Sequence, residues 1–214
     1  MKEVLLPENL VIKLEEIYRR LQDDYGNVAD ALKFSCSGCS DNCCDSYFLH
    51  HTYAEWAYLW LGFRQLEEVR REEILDRSRR WLQQCETAMK RDERPQVMCP
   101  LNEDGLCILY HHRLLVCRTH GVPAWLTRPD GREMRFPGCF RCQEIVEARF
   151  PGQQPPHVDR TPWLRQLAFL ENEFLENKRH LQPKVRMTIA EMLVNGPPAL
   201  PLPHCQRSLH NRPF

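Results

Sequence analysis

Four cysteines lie within nine positions in the segment that reads Cys36-Ser37-Gly38-Cys39-Ser40-Asp41-Asn42-Cys43-Cys44. Small, polar and turn-forming residues separate the thiols, a pattern typical of a loop that wraps around a bound group. Five more cysteines follow in two groups, one of Cys99, Cys107 and Cys117 and one of Cys139 and Cys142. Residues 99–142 show no helical periodicity, so we expect this region to owe its structure mainly to what the cysteines bind.

The composition of the 214-residue chain is that of a globular protein, with 43% hydrophobic and 27% charged residues, which excludes wholesale disorder. The 29 basic and 29 acidic residues balance. Proteins that bind nucleic acid by neutralising phosphates carry a basic excess, so we expect no nucleic-acid partner. No apolar run approaches the roughly 18 residues of a membrane span, so we expect no membrane insertion.

The eleven cysteines are better explained as metal ligands than as disulfides. Their number is odd, and the opening Met1-Lys2-Glu3 is charged too early for a secretory signal peptide. We therefore expect a cytoplasmic protein, because clustered thiols in a reducing compartment bind metal more often than they pair with each other.

The regions that flank the cysteines have the periodicity of amphipathic helices. The spacing predicts a helix over residues 9–32 that Asn9 caps. The capping box Thr52-x-x-Glu55 predicts the start of a second helix, and a third is predicted over residues 64–89. Towards the end of the chain, caps at Thr161 and Thr188 predict two more.

The predicted fold class is mainly α with an irregular cysteine-rich metal-binding core of short strands and loops. Within that core, the apolar segments 106–110 and 114–116 are predicted as short strands, and Asp104-Gly105 as a turn. We divide the chain into an N-terminal helix (1–33), a cysteine-cluster domain (34–150) with inserted helices (52–91), C-terminal helices that pack on the same core (151–196), and a proline-rich tail (197–214).

The spacing of the cysteines leaves the number of metal centres open. Each of the two C-x2-C pairs, 36/39 and 139/142, can place two sulfur atoms on one ion. Neighbouring side chains of an extended segment point to opposite sides, so the doublet Cys43-Cys44 supplies poor co-ligands for a single ion. Nine clustered thiols therefore fit either two four-ligand centres with one thiol to spare, or one centre with structural cysteines.

The identity of the metal is less constrained, because sites built only of sulfur suit zinc and iron–sulfur clusters alike. The ferredoxin run C-x2-C-x2-C-x3-C is absent, and the two C-x2-C pairs lie 100 positions apart rather than the roughly 15–20 of a zinc ribbon. We take this wide scatter to favour an iron–sulfur cluster of the 4Fe–4S type, with zinc as the alternative. Arginines between Cys107 and Cys142 would offset thiolate charge, namely Arg113, Arg118, Arg128, Arg132, Arg135 and Arg141.

The cysteine pattern resembles that of the CxxCxxCC family, the YkgJ-like zinc- or iron-chelating cysteine-cluster proteins. The likeness covers roughly residues 34–142 and rests on the cysteines of segment 36–44, on Cys99-Pro100-Leu101 and on Cys107-x2-Tyr110-x2-Arg113-x3-Cys117-Arg118. The chain departs from the family pattern in one additional residue before the doublet and in Leu114, which stands where the family has proline.

The resemblance implies a metal-binding domain with ligands Cys36, Cys39, Cys43, Cys44, Cys99, Cys107 and Cys117, to which we add Cys139 and Cys142 from their spacing. One branch of the family, the flagellin lysine methyltransferases, combines this motif with an iron–sulfur cluster and S-adenosylmethionine. Those proteins are longer, and we recognise no methyl-donor loop here, so a methyltransferase-like activity is the alternative function.

The function we predict is a metalloprotein with a redox, electron-transfer or accessory role and a protein partner, and a structural zinc module is a further hypothesis. No residue is predicted to be catalytic. His111, His112 and His120 flank the second cysteine group and are expected at the surface or behind the ligands. Cys85 lies at helical spacing with Trp81, which predicts a core position.

Overall fold

The computed structural model describes residues 2–36 and 43–200. About 53% of the structure is helical, which confirms a mainly α fold with short strands and loops. The helices are α1 (Glu8–Leu32), α2 (Tyr53–Phe63), α3 (Glu68–Lys90), α4 (Leu115–Thr119), α5 (Phe140–Arg149), α6 (Thr161–Phe174) and α7 (Ile189–Val194), with short 3-10 helices at Cys43–Asp45, Tyr110–His112 and Arg179–Leu181.

The strands of the described part are short and form three small sheets. They are β1 (Lys2–Glu3), β2 (Asn102–Glu103), β3 (Leu106–Cys107), β4 (Ala124–Thr127), β5 (Glu133–Phe136), β6 (Val158–Asp159) and β7 (Ala199–Leu200). Strand β1 pairs with β7 and β2 with β3, both antiparallel. Strand β4 is central in the third sheet, antiparallel to β5 and parallel to β6.

Helix α1 is amphipathic, as its periodicity predicts, and buries Leu14 and Leu21 completely on the side that faces the core. The predicted cap at Asn9 is wrong. Pro7 occupies the N-cap position, and its carbonyl oxygen accepts hydrogen bonds from the N–H groups of Leu10 and Val11, each at 2.9 Å. Proline suits this position because its fixed φ and missing N–H cost nothing where a helix begins.

Side chains satisfy the leading N–H groups of α2. Thr52 caps the helix as predicted and accepts from the N–H of Glu55 at 3.2 Å. The two carboxylate oxygens of Glu171, in α6, accept from the N–H groups of Tyr53 and Ala54 at 2.9 and 2.8 Å. This contact fixes α6 against the start of α2. Because it joins residues more than a hundred positions apart, no local sequence pattern predicts it.

The capping box that opens α7 is confirmed in full, because Thr188 accepts from the N–H of Glu191 and the Glu191 carboxylate accepts from the N–H of Thr188. The cap predicted for α6 is wrong by one position. Arg160 is the N-cap residue, and Thr161 is the first residue of the helix. The Thr161 hydroxyl instead accepts from the N–H of Thr127 at 2.9 Å and ties α6 to β4.

The middle of the chain contains two helices, α4 and α5, that the sequence did not predict. Segment 114–116, predicted as a strand, lies at the start of α4. The carboxylate of Glu55 accepts from the N–H of Leu115 at 2.8 Å and so supplies an acceptor where α4 begins. Because Glu55 belongs to α2, the periodicity of the segment alone gave no sign of this helix start.

Helices α1, α2, α4, α6 and α7 all contribute side chains to one hydrophobic core. A smaller cluster of Trp81, Cys85 and Ala190 lies between α3 and α7, which confirms the core position predicted for Cys85. Within the described residues, no helix combines the length and apolar character that crossing a membrane requires.

Candidate metal centre

The hairpin of β2 and β3 sets the spacing between Cys99 and Cys107. The predicted turn is confirmed, because Asp104 and Gly105 both have positive φ values, 47° and 84°, as a tight two-residue hairpin turn requires. The register pairs Asn102 with Cys107, and the N–H of Asn102 donates to the carbonyl of Cys99 at 2.9 Å. The hairpin therefore returns Cys107 to the neighbourhood of Cys99.

Cys99 and Cys107 occupy matching local structures. Each is followed two positions later by a buried leucine, Leu101 or Leu109, whose backbone N–H donates to the cysteine thiol. Burial is the largest influence on both thiols and raises their pKa values, and these hydrogen bonds act in the opposite direction, because an N–H donor stabilises the charged sulfur. In both cases the cysteine sulfur therefore accepts a hydrogen bond from the backbone two residues further on, and the buried leucine side chain anchors that backbone in the core.

Cys44 reaches the hairpin from the first cysteine segment. Its carbonyl oxygen accepts from the N–H of Cys99 at 3.0 Å. The side chain of Asn102 lies against the Cys44 thiol and lowers its pKa, although burial is the larger effect and raises the pKa above its usual value. The 3-10 helix Cys43–Asp45 is thus joined directly to the turn that precedes β2.

Cys117 approaches from a third direction, on α4. Glu55, which is only 4% exposed, holds the start of this helix through Leu115 and also accepts from the hydroxyl of Tyr18 at 3.0 Å. Burial raises the pKa of the Cys117 thiol well above its usual value. The position of this thiol therefore depends on a buried carboxylate from α2.

The thiols of Cys44, Cys99, Cys107 and Cys117 are neighbours in the folded chain. After burial, which is the largest cause, the charge of Cys44 raises the pKa of each of the other three, and the pKa of Cys99 rises to about 12. No three histidine, cysteine, aspartate or glutamate side chains between residues 2 and 36 or 43 and 200 are arranged to hold a metal ion as placed. The thiols therefore form a group without forming a closed ligand set.

Three guanidinium groups lie close enough to this thiol group to lower pKa values within it. Arg113 acts on Cys44 and Cys107, Arg118 acts on Cys107, and Arg77 acts on Cys99. The sequence predicted that Arg113 and Arg118 would offset thiolate charge. It gave no signal for Arg77, which comes from α3 and whose Nη2 donates to Glu103 of β2 at 2.6 Å. Three other predicted arginines, Arg128, Arg132 and Arg135, form ion pairs with acids of the exposed β4–β5 hairpin.

Cys36, Cys139 and Cys142 form a second group. Burial, followed by the charges of Cys139 and Cys36, raises the pKa of the Cys142 thiol to about 12. The Tyr25 hydroxyl lies 3.8 Å from the Cys36 sulfur. The predicted ligand Cys39 and the side chain of the predicted ligand Cys43 lie outside the described residues.

The tertiary contacts around Gly121 bring these distant segments together. The N–H of Cys139 donates to the carbonyl of Gly121 at 3.1 Å. A Cβ atom at Gly121 would lie 2.7 Å from the hydroxyl oxygen of Tyr25, which is the contact of Cys36. The end of α1 and the start of α5 therefore meet at the same backbone position.

The histidines near the cysteines pack against aromatic rings. The ring of His112 lies 4.8 Å from that of Tyr58, and the ring of His120 lies 4.7 Å from that of Phe48. Burial, followed by the charges of Arg160 and Arg94, lowers the pKa of His120 to about 4. His120 is therefore neutral at pH 7.

Comparison of the chain with protein-family models, with curated proteins and with solved structures finds no match. The resemblance to the CxxCxxCC family therefore stays a hypothesis that rests on the spacing of the cysteines.

Proposed function

We propose that this protein is a cytoplasmic metalloprotein that binds an iron–sulfur cluster through Cys44, Cys99, Cys107 and Cys117 and serves in electron transfer or redox support of a partner protein. The observation that carries the proposal is that four thiols from three separate segments of the chain become neighbours in the fold. Thiolates are the ligands that iron–sulfur clusters take, and a bound cluster would supply one-electron chemistry.

The surroundings of the four thiols suit a negatively charged thiolate centre. The N–H groups of Leu101 and Leu109 donate to sulfur, and such hydrogen bonds stabilise bound thiolates and tune the potential of a cluster. The guanidinium groups of Arg77, Arg113 and Arg118 supply nearby positive charge. The donor set therefore fits the proposed group, and the proposal requires the four side chains to converge when it binds.

The high pKa values of these thiols make binding depend on pH. Burial raises the pKa of all four, so in the absence of metal they hold their protons at neutral pH. Binding must release those protons, because the thiolate is the ligand. The affinity for metal is therefore expected to rise with pH across the neutral range.

The surface beside Cys99 offers a place for a partner. An open cleft of about 230 Å³ reaches Cys99 and is also lined by Arg77, Trp81 and Met98. On the hairpin itself, the side chain of Leu106 is 71% exposed. A partner protein that docks over this apolar and basic surface would approach the thiol group directly.

The first experiment is anaerobic purification of the full chain, followed by a visible spectrum and by measurement of iron, sulfide and zinc per chain. The proposal predicts a brown protein that contains iron and sulfide in equal amounts. The variant Cys117→Ser is expected to lose most of the iron, whereas Cys85→Ser, which changes a buried thiol outside the group, is expected to retain it.

Two results would contradict the proposal. The first is a colourless protein that contains stoichiometric zinc and loses this zinc in Cys117→Ser. The thiols would then be ligands of a structural zinc ion and not of an iron–sulfur cluster. Iron content that is equal in wild type and in Cys117→Ser would show that these thiols are not the ligands.

A further inference from the structure

Cys139 and Cys142 occupy the first turn of α5. Cys139 is the N-cap residue of this ten-residue helix, with extended backbone angles (φ −74°, ψ 163°), and Cys142 lies three positions later in the first turn. Cys139 is partly exposed, whereas Cys142 is 0% exposed. The pair therefore combines one thiol that solvent can reach with one that lies behind it.

The separation of the two residues suits a disulfide bond. An α-helix rises 1.5 Å per residue on a radius of 2.3 Å, which places Cα atoms three positions apart at about 5 Å. Disulfides join Cα atoms that lie about 4.4–6.8 Å apart. The bond between these two sulfurs can therefore form and break without rearrangement of the helix.

The helix end favours reaction at Cys139. Cys139 is the thiol that an incoming disulfide can reach, because it is partly exposed at the N-cap position whereas Cys142 is fully buried behind it. Strand β4 pairs in parallel with β6, and α5 lies in the connection between them. A C-x2-C pair in a βαβ connection is the setting in which thiol–disulfide exchange is expected.

The backbone before the pair is fixed rigidly. Gly138 has a φ of +86°, and a Cβ atom there would lie 2.6 Å from the carbonyl oxygen of Gly121. The next residue, Cys139, donates its N–H to that same oxygen at 3.1 Å. Only glycine fits this close approach, so the partly exposed thiol of Cys139 is presented from a defined position.

A third thiol lies within electrostatic reach of the pair. Cys36 is exposed in the segment that follows α1, and its charge acts on Cys142. Arg149 of α5 donates to the carbonyl of Leu32 at 2.6 Å and holds the two helices side by side. The structure therefore brings together three thiols from separate parts of the chain, of which Cys36 is exposed, Cys139 is partly exposed and Cys142 is buried.

We propose that Cys139 and Cys142 are a redox-active dithiol that exchanges with a disulfide of the glutathione class. The Cys139 thiolate attacks one sulfur of the incoming disulfide, whose S–S bond breaks, and the departing thiolate takes up a proton. Cys142 then attacks the Cys139 sulfur of the mixed disulfide, whose S–S bond breaks, and the Cys142 proton passes to the second departing thiolate, which leaves as a thiol. Two protein thiols become one disulfide while one incoming disulfide becomes two thiols, a balanced transfer of two electrons.

This activity is independent of the proposed iron–sulfur centre, because it uses none of Cys44, Cys99, Cys107 or Cys117. Retention of iron reports on that centre, and formation of the disulfide reports on the pair. Failure of one proposal therefore leaves the other standing, and one sample can test both.

The test uses the full chain, purified without oxygen and equilibrated with mixtures of reduced and oxidised glutathione. The samples are acid-quenched, alkylated, digested with trypsin and examined by mass spectrometry. Arg141 lies between the two cysteines, so trypsin separates them, and only a disulfide keeps peptides 136–141 and 142–149 joined. The proposal predicts that the joined pair appears with a single midpoint as the fraction of oxidised glutathione rises.

Matched variants make the result specific. Cys139→Ser and Cys142→Ser should each abolish the joined peptides, and Cys85→Ser should leave the midpoint unchanged. Cys139→Ser changes a partly exposed position, so retained helical signal in circular dichroism shows that its loss of the disulfide is chemical. The glutathione adduct at Cys139 should accumulate in Cys142→Ser, because the second attack is missing.

Three outcomes would overturn the proposal. The first is the absence of joined peptides at every glutathione ratio. The second is a disulfide that joins Cys36 to Cys142 instead. The third is zinc that protects both thiols from alkylation until a chelator is added and that is lost in Cys139→Ser, because these thiols would then be metal ligands.

Discussion

Replacement of Glu55 tests how the thiol group is positioned. Glu55 is 4% exposed, and three donors surround its carboxylate, namely the N–H of Leu115 at 2.8 Å and the hydroxyls of Tyr18 and Thr52, each at 3.0 Å. The first of these holds the start of α4, the helix that carries Cys117. A change at Glu55 should therefore affect both the stability of the fold and the thiol group.

The magnitude follows from the groups left behind. In Glu55→Ala, the N–H of Leu115 and the hydroxyl of Tyr18 lose their acceptor, and both residues are only 1% exposed. Each buried donor without a partner costs about 1–3 kcal/mol, so we expect a loss of about 2–6 kcal/mol in the free energy of unfolding. Glu55→Gln keeps one acceptor oxygen and loses the charge, for which we expect about 1–2 kcal/mol.

The assay is urea denaturation of anaerobically purified protein, followed by tryptophan fluorescence and circular dichroism. Glu16→Gln is the control, because Glu16 lies on α1 and forms exposed ion pairs with Arg19 and Arg20, and we expect its loss to stay within about 0.5 kcal/mol. A loss below about 0.5 kcal/mol in Glu55→Ala, or equal losses in Glu55→Ala and Glu55→Gln, would refute the reasoning. Iron per chain, measured on the same samples, should fall most in Glu55→Ala.

Further changes test the packing around the site. Gly62→Ala places a Cβ atom 2.3 Å from the ring of His112 and should cost about 1–3 kcal/mol in thermal or urea unfolding; Gly26→Ala, in a helix with nothing within 4 Å, should instead stabilise by about 0.5–1 kcal/mol, and the opposite order would contradict the close contact. His120 has a pKa of about 4 in the folded state and the usual 6.5 when unfolded, so the unfolded chain takes up its proton first and stability should fall by up to about 3 kcal/mol as the pH drops from 6.5 to 4. Urea titrations across that range should show a shallower slope for His120→Gln, and an unchanged slope would exclude the histidine as the cause. Gly138→Ala should cost about 1–3 kcal/mol in the same unfolding assay because of its φ of +86° and the clash with the opposing carbonyl, and a neutral effect would argue against the rigid approach to α5.

Local patterns in the sequence were sufficient for several elements. The periodicity of α1, the capping box of α7 and the Asp104-Gly105 turn are confirmed, because each depends on residues within one or two turns of each other. Local patterns predicted neither the start of α4 nor the second hydrogen-bond acceptor at the N-terminus of α2. Glu55 and Glu171 supply those contacts from other elements, and nothing near either helix start shows that they will be there.

The surroundings of individual polar side chains also could not be predicted from local sequence patterns. His50 lies just before the capping box of α2, yet it is 2% exposed and its backbone pairs with that of Met187. Arg77 reaches the thiol group from α3 because α3 lies beside the hairpin and Glu103 accepts from its guanidinium. In both cases, the neighbours that decide the environment are far away in the chain.

The sequence by itself determined how many thiols this protein has and how they cluster along the chain, because both are properties of the chain. It grouped them by position, with Cys36 and Cys44 in one segment. The tertiary structure separates these two, since Cys44 joins Cys99, Cys107 and Cys117 while Cys36 joins the pair at the start of α5. The physical reason is that nearness along the chain limits only how far apart two residues can be, whereas the packing of α1, α4, α5 and the hairpin decides which sulfur atoms meet.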